Sequence, residues 1–147
     1  MFRGKFDHTL DDKGRVSLPV KFREILRKYD DNIIITTFDS CLYVYPHEEW
    51  IIVEEDLYKR PSGKRDMRDL QRLLLSNATE CTIDKQGRIL IPPSLRTWAA
   101  IEKEVVIAGR IKHFELWNRE RFEQVLTQAQ NNLLNADISE ILNDIKL

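Results

Sequence analysis

Two short segments of this 147-residue chain place an aspartate four positions before an arginine with a glycine between them: Asp11 to Arg15 (DDKGR) and Asp84 to Arg88 (DKQGR). A carboxylate so placed accepts hydrogen bonds from turn amides or braces a guanidinium, and the arginine offers a rigid fork that fits a phosphate or a guanine edge. The intervening glycine takes a positive φ cheaply, as a tight turn requires. Around the first segment, Arg3, Lys5, Lys13, Lys21 and Arg23 add positive charge; in the second, Gln86 and Ser94 stand where Lys13 and Lys21 would fall. The residues that would touch nucleic acid are therefore Asp11, Lys13, Arg15, Arg3, Lys5, Lys21 and Arg23, with Asp84 and Arg88, and the first segment is expected to carry more of the electrostatic binding. Such a turn is equally what a solvated, purely structural hairpin looks like, and duplication would copy a structural turn as faithfully as a functional one.

Other chemistry is thinly represented. His8, His47 and His113 are isolated, and Cys41 and Cys81 have no partner at metal-ligand spacing, which points to buried thiols in a reducing cytoplasm. Glu48, Glu49, Glu54, Glu55 and Asp56 read as solvated helix faces. There is no glycine-rich phosphate loop and no Gly-x-Ser-x-Gly turn. The expectation is a protein that is not an enzyme, with no cofactor, metal or small-molecule substrate. No apolar run approaches the ~18 residues that span a bilayer. Net charge is only -1, yet nucleic acid meets a local surface. Residues 1–28 hold 8 Lys/Arg against 4 Asp/Glu, and residues 59–72 hold 6 against 2.

The elements that must position the two segments are themselves duplicated. DDKGRVSLPVKFR (11–23) lies over DKQGRILIPPSLR (84–96) at a constant offset of 73, pairing Gly14 with Gly87, Val16 with Ile89, Leu18 with Ile91, Pro19 with Pro92 and Arg23 with Arg96. After a one-residue slip, LYVYPHEEW (42–50) matches FELWNRERF (114–122). Each copy reads alike. Alternation over Phe2 to Leu10 predicts a half-buried strand, Asp11 to Gly14 a turn, and Arg15 to Leu18 a second strand that forms a hairpin narrow enough for a major groove. Pro19 then opens a short helix with Phe22, Ile25, Leu26 and Tyr29 on one face. Two further strands (32–37 and 42–45; 105–108 and 114–117) and a helix complete each unit. Trp50, Trp98 and Trp117 fall on predicted core faces. The fold class is α+β, two pseudo-symmetric β-hairpin/helix repeats at 1–58 and 77–136, joined by a basic linker and connecting helix at 59–76 and followed by a helical tail at 137–147 in which Asp137 and Glu140 have capping-box spacing. Neither repeat alone covers its apolar faces, so the copies are expected to pack as an internal pseudo-dimer.

The opening MFRGKFDHTLDDKGRVSLPVKFR, the second DKQGRILIPPSLR and their spacing resemble the MraZ family of bacterial cell-division and cell-wall cluster regulators, over essentially the whole chain to about Asn135. The resemblance implies a fold related to the AbrB swapped-hairpin barrel and a ring-shaped homo-oligomer. It also implies a cytoplasmic, nucleoid-associated transcriptional regulator whose partner is double-stranded promoter DNA carrying short repeated boxes. The family's Asp-x-x-x-Arg pair falls on Asp11 and Arg15 and on Asp84 and Arg88. The competing expectation is an oligomeric interaction scaffold without specific DNA recognition.

Overall fold

A computed structural model describes residues 1–147. Its strands are β1 (Lys5–Thr9), β2 (Arg15–Ser17), β3 (Asn32–Phe38), β4 (Cys41–Pro46), β5 (Thr79–Thr82), β6 (Arg88–Leu90), β7 (Glu104–Gly109) and β8 (Phe114–Asn118). Its helices are α1 (Val20–Leu26), α2 (His47–Lys59), α3 (Arg65–Gln71), α4 (Pro93–Trp98), α5 (Arg119–Leu134) and α6 (Ser139–Asn143), with a π-helical turn at Arg72–Ser76 extending α3. The α+β class and the two-fold repetition follow the sequence. None of the helices is long and apolar enough to cross a membrane.

The strands of each copy exchange partners across the repeat. The six-stranded sheet runs β1-β7-β8-β4-β3-β5, so the first strand of each copy lies on the third strand of the other, and β2 pairs with β6 in a separate ribbon. The registers obey one pseudo-two-fold: Phe6 faces Ile107 as Thr79 faces Ile35, Tyr43 meets its own counterpart Glu115 on the axis, and Val16 likewise meets Ile89. The swapped pairing implied by the family resemblance is present. The simple hairpin read from residues 2–18 is not: β1 and β2 are joined by the turn but do not pair. Of main-chain bonds, only Asp11 N–H to Arg15 O (2.9 Å) reaches β2 from the first side, and the next residue back, Leu10, already donates to Lys103 O (2.8 Å) on the way into β7. Nor do the ladders close a barrel, since the large sheet ends at β1 and β5.

One face of the large sheet meets the β2/β6 ribbon and the two short helices to make the main core. Val16, Leu18, Ile33, Ile35, Leu42, Val44, Ile89, Ile91, Ile107, Phe114 and Leu116 are fully buried there. Pro19 and Pro92 sit in the cap positions of α1 and α4 with φ of -54°, preset for helix entry, and each ends the strand before it by lacking an amide donor. The other face is covered by α2 with the α3/π segment on one half and by α5 on the other. In the π turn two carbonyls, Leu74 O and Leu73 O, accept from the buried hydroxyls of Thr36 (2.7 Å) and Thr37 (2.9 Å). Irregular helix and buried β3 threonines thus satisfy each other.

Several side chains depart from the pattern. Trp98 is 40% exposed rather than core, because α4 stops at residue 98 and only Leu95 and the following Ala99 reach inward. Tyr29 falls beyond α1 and donates its hydroxyl to Glu49 instead. Asp137 accepts from Ser139 through both N–H and Oγ–H, a local turn rather than a capping box. Cys41 is buried and donates to Phe38 O, with burial pushing its thiol pKa up; Cys81 is half-buried and shifted the same way.

Candidate nucleic-acid interface

Each Asp-x-x-Gly-Arg turn is closed by the same set of bonds. Asp11 Oδ1 accepts from the amides of Lys13 (3.0 Å) and Arg15 (2.9 Å), while Oδ2 accepts from Arg15 Nε (2.7 Å). Asp84 takes the amides of Gln86 and Arg88 (both 2.9 Å) and Arg88 Nε (2.8 Å) in identical fashion. The Arg15 amide, with its guanidinium and the Lys13 amide, holds the Asp11 carboxyl down to about 2, and Asp84 is lowered by the corresponding groups. Both carboxylates are therefore charged at any physiological pH. Their role is orientation: each guanidinium is gripped at Nε, which leaves its Nη1 and Nη2 edge to other acceptors.

The two edges are not equivalent. Arg88 Nη2 donates to Gln86 Oε1 at 3.2 Å, whereas Arg15 has Lys13 at that position and its terminal nitrogens have no protein acceptor. The substitution seen in the sequence thus leaves the first fork free and partly occupies the second.

The swap brings both forks to one surface. In the β2/β6 ribbon Val16 and Ile89 point into the core, so by strand alternation Arg15, Ser17, Arg88 and Leu90 point out together. Arg15 faces Leu90 and Ser17 faces Arg88, which sets the arginines diagonally across the ladder, about 7–8 Å apart at the backbone. The ladder continues through Leu18 N–H to Gly87 O and Ile91 N–H to Gly14 O, both 3.0 Å, placing one turn at each end of the ribbon.

Glycine is required in both turns for two reasons. Gly14 has φ +84° and Gly87 φ +75°. A Cβ on Gly14 would lie 2.5 Å from Arg96 Cζ, and one on Gly87 would lie 2.5 Å from Arg23 Cδ and Nε. Arg23 Nε donates to Leu18 O (2.8 Å) and Arg96 Nε to Ile91 O (3.1 Å), so the short helix of each copy clamps the turn of the other. Gly14→Ala is accordingly expected to lower stability by about 1–3 kcal/mol through left-handed strain and a displaced Arg96. Urea unfolding of the variant checks this, and a midpoint equal to wild type would show that Arg96 gives way without consequence.

The remaining sequence candidates divide. Lys13 is exposed on the first turn and Lys21 on α1. Arg3 and Lys5 stand at the far end of β1, separated from Asp11 by roughly 20 Å of extended chain for Lys5; Lys5 Nζ lies 5.9 Å from the Phe122 ring, toward α5. Arg96 was legible only as the repeat partner of Arg23. No group of three or more His, Cys, Asp or Glu side chains is arranged to hold a metal ion. His113 is instead stacked against Tyr45 (4.6 Å) and packed at a tilt on Tyr43 (4.5 Å), with burial lowering its pKa to about 4.

Comparison with known proteins agrees with the duplication. The family model described as MraZ protein matches twice, at residues 1–73 and 74–144. The chain is 43% identical over 148 residues to the "Transcriptional regulator MraZ" of Pediococcus pentosaceus and 46% identical over 148 residues to that of Ligilactobacillus salivarius, with all of each chain covered. It is 44% identical over 136 residues to the protein of that name from Natranaerobius thermophilus, covering 92% of this chain and 93% of the other.

Proposed function

The chain belongs to the MraZ family, and on that premise we propose that it is a sequence-specific DNA-binding transcriptional regulator, acting as a homo-oligomer on repeated boxes upstream of the division and cell-wall gene cluster. The observation that carries this reading is the pair of carboxylate-braced arginines on one exposed ribbon, preset to meet base edges or phosphates without first losing rotamer freedom. Asp11, Lys13, Arg15 and Lys21 form the principal contact region, with Arg23, Asp84 and Arg88 beside it; Arg3 and Lys5 contribute at the margin. Turns that each supply one fork suit repeated boxes, because linking several copies raises their effective concentration at the next box.

A ring-shaped assembly is supported by the apolar side chains that the chain leaves uncovered on and just after its last two helices. Leu126, Leu133 and Leu134 on α5, Ile141 and Leu142 on α6 and Ile145 just beyond it are all exposed, and apolar groups gathered in one stretch of chain are what a partner subunit would cover. The protein's place is then the cytoplasm, on the nucleoid, with no catalytic role. The deciding measurement is binding to DNA from upstream of its own gene and to a scrambled duplex of equal length and fixed salt. At least a tenfold preference for the upstream DNA is expected; an intact oligomer that binds both equally would establish the interaction-scaffold reading instead.

A further inference from the structure

Resting on that DNA-binding reading, we propose that the cleft beside the second turn seats a backbone phosphate of the bound duplex, held by Arg27 and Lys85 with Arg23 behind them. The cleft encloses about 330 Å³ and is lined by these three cations, by Gln86, and by the carboxylates of Asp31 and Asp84. It exists because of the strand swap. Arg23 and Arg27 come from the end of α1 in the first half, Lys85 and Gln86 from the turn of the second, and nothing in the linear sequence sets them side by side.

The charge balance favours an anion. Asp84 is committed to the Arg88 guanidinium and two turn amides, which leaves Asp31 as the one free carboxylate opposite three cations. None of Arg23, Arg27 and Lys85 forms an ion pair within the protein. Arg23 is fixed by its Nε bond to Leu18 O and by contact with Gly87; Arg27 and Lys85 are exposed and free to close on a ligand. The rim is continuous with the second fork, because Gln86 both lines the cleft and accepts from Arg88 Nη2. An anion that follows the duplex past Arg88 meets this cleft next.

Pseudo-symmetry separates this grip from the first turn. At the offset of 73, Lys85 corresponds to Asp12, and the stretch Leu26-Arg27 corresponds to Ala99-Ala100. The first turn keeps Lys13 but has neither of the two cations that close this cleft. A contact made by flexible cations to a phosphate positions the protein without reading sequence. The second copy, whose fork is partly occupied by Gln86, would thus anchor while the first one reads.

The test is a double variant, Arg27→Ala with Lys85→Ala, in the full chain, titrated against upstream and scrambled duplexes across a salt series. Affinity for both duplexes is expected to fall about tenfold at ~0.1 M salt, with the slope of log K against log salt reduced by about 1 per engaged protomer and the preference between duplexes unchanged. The conservative pair Arg27→Lys with Lys85→Arg should restore the slope. An unaltered slope, or a loss confined to the upstream duplex, overturns the phosphate cleft. Should wild type show no preference between duplexes, the regulatory reading fails, and the slope on scrambled DNA still decides the cleft. Both positions are solvent-exposed, and an unchanged oligomer size and melting temperature confirm that the fold is retained.

Discussion

Arg15→Ala is expected to remove most of the preference for upstream DNA while leaving the fold and the oligomer intact. A bidentate arginine contact to a guanine edge is worth about 1–3 kcal/mol of discrimination, roughly 5- to 150-fold, and when two or more protomers engage adjacent boxes the losses compound. The structural cost is small by comparison. Arg15 and Asp11 are about a third exposed at the side chain, 30% and 37%, and an exposed pair contributes about 0–1 kcal/mol. With the arginine gone, Asp11 keeps the amides of Lys13 and residue 15, so the turn stays closed. Arg15→Lys tests the fork itself. It keeps the charge and should retain salt-dependent binding but lose much of the preference. Arg88→Ala should cost less specificity than Arg15→Ala, since Gln86 already holds one of its terminal nitrogens. Fluorescence anisotropy on matched duplexes reads all three, and undiminished preference in a folded Arg15→Ala protein would take Arg15 out of the site.

How far these roles were legible in the sequence depends on which interactions are local. The Asp11 bonds span at most four residues and repeat at Asp84, so residue type and spacing were enough to place them. Val16 and Leu18, and Ile89 and Ile91, were legible as inward because alternation fixes a face. Alternation does not say which strand lies alongside, and there the residues alone misled. A polar turn between two alternating segments is the signature of a hairpin, yet β1 pairs with β7 and β2 with β6; the swap came from the family resemblance. With it moved the charges. Arg23 is eight residues from Arg15 in sequence, but its guanidinium covers Gly87, so a count of cations along residues 1–28 assigned to the first turn what the fold gives to the second. Trp98 failed for a different reason: a helix of six residues has room for one inward side chain per turn, and Leu95 occupies it.

Phe22→Ala should be the most damaging single change to stability, and its effect should reach the β2/β6 ribbon. Phe22 is 1% exposed. Its ring lies 5.1 Å from Phe2, 5.3 Å from Phe6 and 5.2 Å from Phe114, so it joins the N-terminal segment, β1 and a strand of the other copy at one point. Truncating such a side chain costs about 3–5 kcal/mol, a large share of the ~5–15 kcal/mol by which domains are stable. Phe22→Leu keeps most of the volume and should cost less than about 1.5 kcal/mol. The consequence for function follows from the next residue. Arg23 is held in place by α1, and α1 is anchored through Phe22 and Leu26; a cavity under the helix loosens the clamp on Gly87 at the other copy's turn. DNA affinity of Phe22→Ala should therefore fall below wild type even at temperatures where the protein remains folded, although no charge has been removed, whereas Phe22→Leu should bind normally. Chemical unfolding gives the first quantity and binding at low temperature the second. A fully folded Phe22→Ala protein with wild-type affinity would show that the two turns are rigid without their crossed helices, and that the swap serves assembly of the core alone.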